Sequence, residues 1–181
     1  MKIAKIRDVK TPTTAHATDA GIDFFMPEFE PEFMYDFKAK NPEIIHKLRL
    51  KYDFKAKNPD RERYITYDRI MVPPQMSVLI PSGIKINVPA GQAAIFFNKS
   101  GMATKHQLIA GGCVIDEDYQ GEVHLNFINT GKEAVKLVPG QKVLQLILIP
   151  ICSESTEEVA EKDLYDEVTD RADGGFGSSD K

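Results

Sequence analysis

From Met71 to Ile151 the chain is a succession of short apolar stretches, cut at regular intervals by glycine and proline. Ser77-Val-Leu-Ile80 ends at Pro81-Ser-Gly83. Ile84-Lys-Ile-Asn-Val88 alternates apolar and polar residues before Pro89-Ala-Gly91, and Ala93-Ala-Ile-Phe-Phe97 follows. Val123, Leu125 and Phe127 alternate with Glu122, His124 and Asn126, the period of a strand with one buried face. Asn129-Thr-Gly131 and Pro139-Gly140 turn the chain twice more, and Val143 to Ile151 is almost continuously apolar. Many short strands with turn residues between them, and no strong helical period, predict an all-β fold: an antiparallel sandwich or jelly-roll-like barrel.

Two regions depart from that plan. Residues 27–70 are charged and aromatic, and carry a tandem duplication: Tyr35-Asp-Phe-Lys-Ala-Lys-Asn-Pro42 recurs as Tyr52-Asp-Phe-Lys-Ala-Lys-Asn-Pro59, a period of 17. Two copies do not make a solenoid, which needs about three or more units. Glu43 to Lys51 has the makings of a short helix, with Ile44, Ile45 and Leu48 on one side. The region reads as an insertion on a loop, either a duplication with no role of its own or a lid or partner-binding element. The second departure is the tail at 153–181. Eight acidic residues and one lysine lie between Ser153 and Asp170, before Arg171-Ala-Asp-Gly-Gly-Phe-Gly-Ser-Ser-Asp-Lys181. Acidic, glycine-rich ends are ordinarily solvated and mobile. This one also holds an arginine, an aromatic ring and two hydroxyls, the parts of an arm that closes over a phosphorylated aromatic ligand. The expected organisation is one domain over 1–181, carrying the insertion and the arm.

Composition excludes several function classes. A net charge of −4 gives no basic face for nucleic acid. The basic N-terminus has no apolar run behind it, and no stretch approaches the roughly 18–20 apolar residues of a membrane span. Cys113 and Cys152 form no disulfide framework, and His16, His46, His106 and His124 no zinc signature. A reduced, cytoplasmic protein is expected.

The densest chemistry lies in Gly111-Gly-Cys-Val-Ile-Asp-Glu-Asp-Tyr-Gln-Gly121. Its glycines permit a hairpin whose backbone can approach a ligand closely, and the β-branched pair before Asp116 makes a stiff support for that carboxylate. Acidic turns are common, so the segment alone decides nothing.

Five separated stretches, in order, resemble the motifs of the trimeric dUTPase family. Ala20-Gly-Ile-Asp-Phe24 is similar to Ala-Gly-Tyr-Asp-Leu, and Lys99-Ser-Gly-Met-Ala-Thr-Lys-His106 to Arg-Ser-Gly-Leu-Ala-x-Lys-His. Cys113-Val-Ile-Asp-Glu-Asp-Tyr-Gln-Gly121 is close to Gly-Val-Ile-Asp-x-Asp-Tyr-Arg-Gly. Gly140-Gln-Lys-Val-Leu-Gln-Leu146 looks like Gly-Glu-Arg-Ile-Ala-Gln-Leu, and Arg171-Ala-Asp-Gly-Gly-Phe-Gly-Ser-Ser179 like Arg-Gly-x-Gly-Gly-Phe-Gly-Ser-Thr. The likeness spans residues 1–26 and about 71–181, and the insertion has no counterpart in it.

The resemblance implies hydrolysis of dUTP to dUMP and pyrophosphate with Mg2+, which keeps uracil out of DNA and supplies dUMP for thymidylate synthesis. It makes Asp116 the general base and gives phosphate contacts to Lys99, Ser100, Gly101 and Gln145. Ala110, Gly111, Gly112, Cys113 and Val114 would surround uracil, and Tyr119 would pack under the deoxyribose. On the tail, Arg171, Ser178 and Ser179 would clamp phosphates while Phe176 stacks on the base between Gly175 and Gly177. Asp23 is implied as a partner to a magnesium-bound water, or as a structural turn residue. A homotrimer with sites between subunits is implied, along with a possible unknown protein partner at the insertion.

Two residues depart from the family pattern. Lys99 stands for arginine and loses its forked geometry. Cys113 stands for glycine beside the base, either as a small core-facing hydrophobe or as a source of altered preference at C5 of the pyrimidine. The rival enzyme of this fold, dCTP deaminase, places a catalytic glutamate where this chain has Asn126.

Overall fold

The computed structural model describes residues 1–46, 65–66, 68–152 and 154–169, with residues 65 and 66 by their backbone alone. The chain divides into two compact units, Met1–Ile151 and Cys152–Lys181.

In the first unit the described strands are β1 (Lys2–Lys5), β2 (Ile22–Phe25), β3 (Ile65–Thr66), β4 (Arg69–Val72), β5 (Ser77–Pro81), β6 (Ile84–Asn87), β7 (Gln92–Asn98), β8 (Leu108–Ala110), β9 (Val114–Ile115), β10 (His124–Asn129), β11 (Val135–Leu137) and β12 (Lys142–Pro150). They form four sheets, ordered β1-β6, β5-β10-β8, β11-β4-β3 and β2-β12-β7-β9. All the pairings are antiparallel. This is the expected all-β architecture of the jelly-roll type, with no closed barrel among the described residues. The alternation seen in the sequence is the alternation of burial: Leu125, Phe127 and Asn129 of β10 face inward while His124, Asn126 and Ile128 face outward. Phe24 and Phe96 meet edge to face at 4.9 Å in the core, tying β2 to β7 across β12. Gly83 supplies the turn between β5 and β6 with φ of 76°, and a Cβ there would come within 3.0 Å of the Arg7 Cβ.

The front of the expected insertion is not an appended loop. Pro31–Lys40 is helix α1, begun by a proline in its first turn, with Glu32 near the N-terminus and Lys38 and Lys40 near the C-terminus, as the helix dipole favours. Phe33, Met34 and Phe37 are buried, and Phe29, Phe33 and Phe37 stack successively with centroids 5.0 and 6.0 Å apart. Burying each such ring contributes about 1.5–3 kcal/mol, which an outlying loop would forgo. Asn41 then ends the helix. Its Nδ2 donates to the carbonyls of Phe37 and Leu79 at 2.7 Å each, and its Oδ1 accepts the Leu79 N–H at 2.8 Å. One side-chain amide thus satisfies an orphan helix carbonyl and both backbone groups of a β5 residue at the edge of its sheet. The helix expected over Glu43–Lys51 is found in part: residues 42–46 are helical with Ile44 buried, and 47–51 lie outside the described residues. So does the second repeat copy. Arg7 binds α1 to the strands, its Nη2 donating to Asp36 and its Nε to Glu122 at 3.2 Å. Burial works against the Arg7 charge, but the hydrogen bonds of Glu122 and Asp36 prevail and hold its pKa above the ordinary value.

The described part of the second unit holds one 3-10 turn, Glu161–Asp163, and its side chains are exposed. No described helix is long and apolar enough to cross a membrane.

Candidate active site

β9 and the turn after it place the carboxylate singled out by the sequence. Ile115 is buried and pairs with Ala94 of β7, so the backbone entering Asp116 is anchored on one side. On the other side the Asp116 carbonyl accepts the Tyr119 N–H at 3.3 Å. The carboxylate itself is exposed and, among the described residues, has no hydrogen-bond or ionic partner. It opens onto a cleft of about 180 Å3 walled by Gly112, Cys113, Val114, Tyr119, Leu79 and His124.

Tyr119 bounds this cleft on one side and a larger one of about 350 Å3, between β1, β6 and residues 117–120, on the other. The larger space holds neither Asp116 nor the glycine hairpin, so chemistry and not size marks the smaller as the candidate. The Tyr119 ring lies over Gly121, where a Cβ would come within 2.4 Å of the phenol oxygen, and its hydroxyl donates to the Glu122 carbonyl at 2.8 Å.

The glycine segment expected as a hairpin joins β8 and β9, strands of two different sheets that do not pair with each other, and it is suspended from two asparagines that sequence reasoning did not place in the site. Asn98 Oδ1 accepts the Ala110 N–H at 2.6 Å. Asn126 accepts the Gly111 N–H on its backbone carbonyl at 3.1 Å and the Gly112 N–H on Oδ1 at 2.9 Å. Cys113 packs partly against the core, as a small hydrophobe would, while also lining the cleft. His124, on the wall, is driven below the ordinary imidazole pKa, first by burial and then by the Lys40 charge, with Glu122 opposing.

A second group lies on β2, β7, β12 and the start of α2 (Ser100–His106). Asp23 is buried, with Lys99 Nζ 2.5 Å from one carboxylate oxygen and Lys142 Nζ 2.5 Å from the other. Burial alone would raise its pKa; hydrogen bonds to Lys142 and Lys99 outweigh that and lower it. Both oxygens are therefore engaged by ammonium groups, which supports the structural alternative for Asp23 over service to a metal-bound water. Lys99, expected on phosphate, faces that same carboxylate. Ser100 and Gly101 begin α2, where the first N–H groups of a helix have no intrahelical partner, and a Cβ on Gly101 would meet nothing. Gln145 donates to the Asn98 carbonyl at 3.1 Å and fills the space over Gly21, where a Cβ would lie 2.9 Å from its Oε1.

The structure thus brings Gly112, Cys113, Val114, Asp116 and Tyr119 to one cleft, with Ala110 and Gly111 behind it, and leaves Lys99, Ser100, Gly101 and Gln145 outside its lining. Arg171, Gly175, Phe176, Gly177, Ser178 and Ser179 lie outside the described residues.

The family model for dUTPase matches residues 64–180, the stretch that carries β3 to β12 and the candidate cleft. The chain belongs to the dUTPase family. Its activity is that of a dUTP diphosphatase. The first of the five motif-like stretches, at residues 20–24, falls outside the matched span, cut off from it by α1 and the duplicated segment.

Among relatives, the chain is 37% identical over 123 residues to the deoxyuridine 5'-triphosphate nucleotidohydrolase of Pseudomonas fluorescens, covering 66% of this chain and 78% of that dUTPase. It is similar to the solved dUTPase of equine infectious anemia virus, with a TM-score of 0.57 and 26% identity over 90% of this chain and 100% of the other. The dUTPase of Staphylococcus bacteriophage 80alpha, solved with dUPNHPP, shares the fold with a TM-score of 0.64 and 18% identity, covering 98% of this chain and 96% of that one.

The rival deaminase reading loses its footing at Asn126. That side chain is an amide committed to Gly112, Ser77 and Val78, and an amide is too weak an acid to serve as a general acid.

Proposed function

We propose that Asp116 is the general base of dUTP hydrolysis. It orients a water and takes its proton as the water oxygen attacks the α-phosphorus. The bond from that phosphorus to the α,β-bridging oxygen breaks, pyrophosphate leaves, and dUMP keeps the new oxygen. The observation that carries the reading is the unpaired, exposed carboxylate held by a buried strand end at the mouth of a glycine-walled cleft. The hairpin at 110–114 receives the uracil, Tyr119 packs against the sugar, and the first turn of α2 with Gln145 and Lys99 serves the phosphates. The tail residues Arg171, Gly175, Phe176, Gly177, Ser178 and Ser179 complete the substrate-binding set on the strength of their sequence likeness.

When bound, Mg2+ neutralises charge on the phosphate oxygens. Among the described residues no three His, Cys, Asp or Glu side chains converge as a metal cage. That donor set fits a cation held mainly by the triphosphate and water, as a hard ion that keeps much of its hydration shell prefers.

The two groups of site residues do not share one cleft within a chain, which supports a site assembled from several subunits. An apolar patch on one face of the β2-β12-β7-β9 sheet supports assembly. Ile95, Phe97, Val114 and Ile147 fall on one face by register, with Phe97 40% and Val114 61% exposed. A homotrimer covers this face with copies of the same chain. In the cytoplasm such an enzyme keeps uracil out of DNA and supplies dUMP. A single domain over 1–181 includes α1, and the sequence of the insertion beyond α1 is the proposed seat of a protein partner.

Pyrophosphate release from dUTP, dTTP, dCTP and UTP tests the reading. Turnover of dUTP well above the other three is expected, and equal turnover of dTTP would remove the hairpin from base selection. Removing residues 171–181 is expected to leave a folded protein with severely reduced dUTP turnover.

A further inference from the structure

Every polar atom of the Asn126 amide has a defined partner. Its Nδ2 donates to Ser77 Oγ at 3.0 Å and to the Val78 carbonyl at 3.1 Å, and its Oδ1 accepts the Gly112 N–H at 2.9 Å. A carbonyl can only accept and an N–H only donate, so the amide fits in one orientation and neither a carboxylate nor a methyl group replaces it. Gly111 is fitted to the same oxygen: a Cβ there would lie 1.7 Å from Asn126 Oδ1. Behind Asn126, β5 is itself gripped through Leu79 by Asn41, and Leu79 stands opposite Asn126 in the β5–β10 register. Gly112, by contrast, faces open space, where a Cβ would meet nothing. The hairpin is therefore pressed onto one side chain from behind and bare in front.

We infer that Asn126 is a positioning residue for nucleobase recognition: its amide, fixed by β5, sets where the backbone of Gly111 and Gly112 stands in the cleft. This rests on the reading of that hairpin as the base site. With the amide in place, the hairpin offers a pyrimidine edge a fixed set of backbone groups. Without it, the Gly112 N–H has no acceptor and the hairpin drifts, so binding and selectivity suffer before chemistry does.

The test is steady-state pyrophosphate release from dUTP and dCTP by full-length variants. Asn126→Ala is expected to raise KM for dUTP about tenfold, the effect of one lost hydrogen bond that leaves its partner unpaired, with kcat reduced far less. Its preference for dUTP over dCTP is expected to narrow. Should the alanine variant fold poorly, Asn126→Val, which suits a strand, is expected to show the same split. Asn126→Asp keeps an acceptor for Gly112 but loses the donor to the Val78 carbonyl, so it is expected to recover only part of the lost KM. Gly111→Ala is expected to raise KM in the native background and to add much less in the Asn126→Ala background, where the oxygen it strikes is gone.

A lowered melting temperature with KM and base preference unchanged, or kcat and KM declining in parallel, would overturn the positioning role. So would additive effects of the Gly111 and Asn126 substitutions. Gly112→Ala separates the two layers of the argument. If it leaves KM for dUTP untouched, the hairpin is not the base site. If it raises KM while the Asn126 variants do not, the base site stands and the role of Asn126 falls.

Discussion

Asp116 and Asp23 are the same side chain set in opposite surroundings. Asp116 follows a two-residue strand, stands in solvent and has no partner among the described residues. Asp23 lies within β2, is buried, and has an ammonium group against each oxygen. A base must have a free lone pair and room for water beside it, whereas a structural acid must have neither. Environment, not residue type, divides the two roles.

The largest expected effect breaks the pair at Asp116, its proposed catalytic member. Asp116→Asn keeps shape and removes the proton acceptor, so kcat for dUTP is expected to fall about 100- to 10,000-fold while dUTP still binds in the presence of Mg2+. A kcat near that of the wild type would take the base assignment away from Asp116. The converse change, Asp23→Asn, leaves two ammonium groups facing each other without their anion. It is expected to cost about 2 kcal/mol of stability in denaturant unfolding, since part of the pair stays solvated through the lysines. An Asp23→Asn protein of unchanged stability would show that the two contacts contribute nothing to the fold.

Much of this contrast was legible in the chain and part of it was not. The period-two pattern around Val123–Phe127 made β10 readable because burial on one face leaves its mark on every second residue. The Asp116 segment was readable because its glycines and acids lie next to each other. Helix α1 escaped notice, and for a physical reason. Its buried face is only Phe33, Met34 and Phe37 amid charged residues, and the duplication made the whole segment look like an appendage. Asn126 stood out in the sequence only as the place of a deaminase's glutamate, not as a support for Gly111 and Gly112. Its partners are 14 residues away at Gly112 and 48 away at Val78, and no local pattern announces side chain to backbone bonds of that range. Asp23 was visible as part of a motif, but not its two lysines, which arrive from residues 99 and 142.

Acidification sharpens the comparison next. Because the folded-state pKa of Asp23 lies below the ordinary 3.8, its contribution to stability is complete above that value and disappears as pH falls through the lower, folded one. His124 carries the same sign in a different window. Its folded pKa lies below 6.5, so the unfolded chain takes up the proton first and stability declines as pH falls below that value. Denaturant unfolding between pH 7 and pH 3 is expected to show both losses in the wild type. In Asp23→Asn the loss at the more acidic end should shrink and the one near neutrality remain. An acid limb identical in both proteins would mean that Asp23 is not depressed by its lysines.

The smallest effect is expected from Lys142→Gln, and the reason lies in the asymmetry of the pair. The Lys142 side chain is 40% exposed against 28% for Lys99 and 5% for Asp23, so solvent already screens much of what Lys142 gives. Once Lys142 is neutral, Asp23 still has Lys99 at 2.5 Å and remains a paired anion. The glutamine can also donate one hydrogen bond in place of the lysine's. The loss should therefore stay below about 1 kcal/mol, well short of that in Asp23→Asn. A loss as large as that of Asp23→Asn would show that Lys142 alone keeps Asp23 ionised.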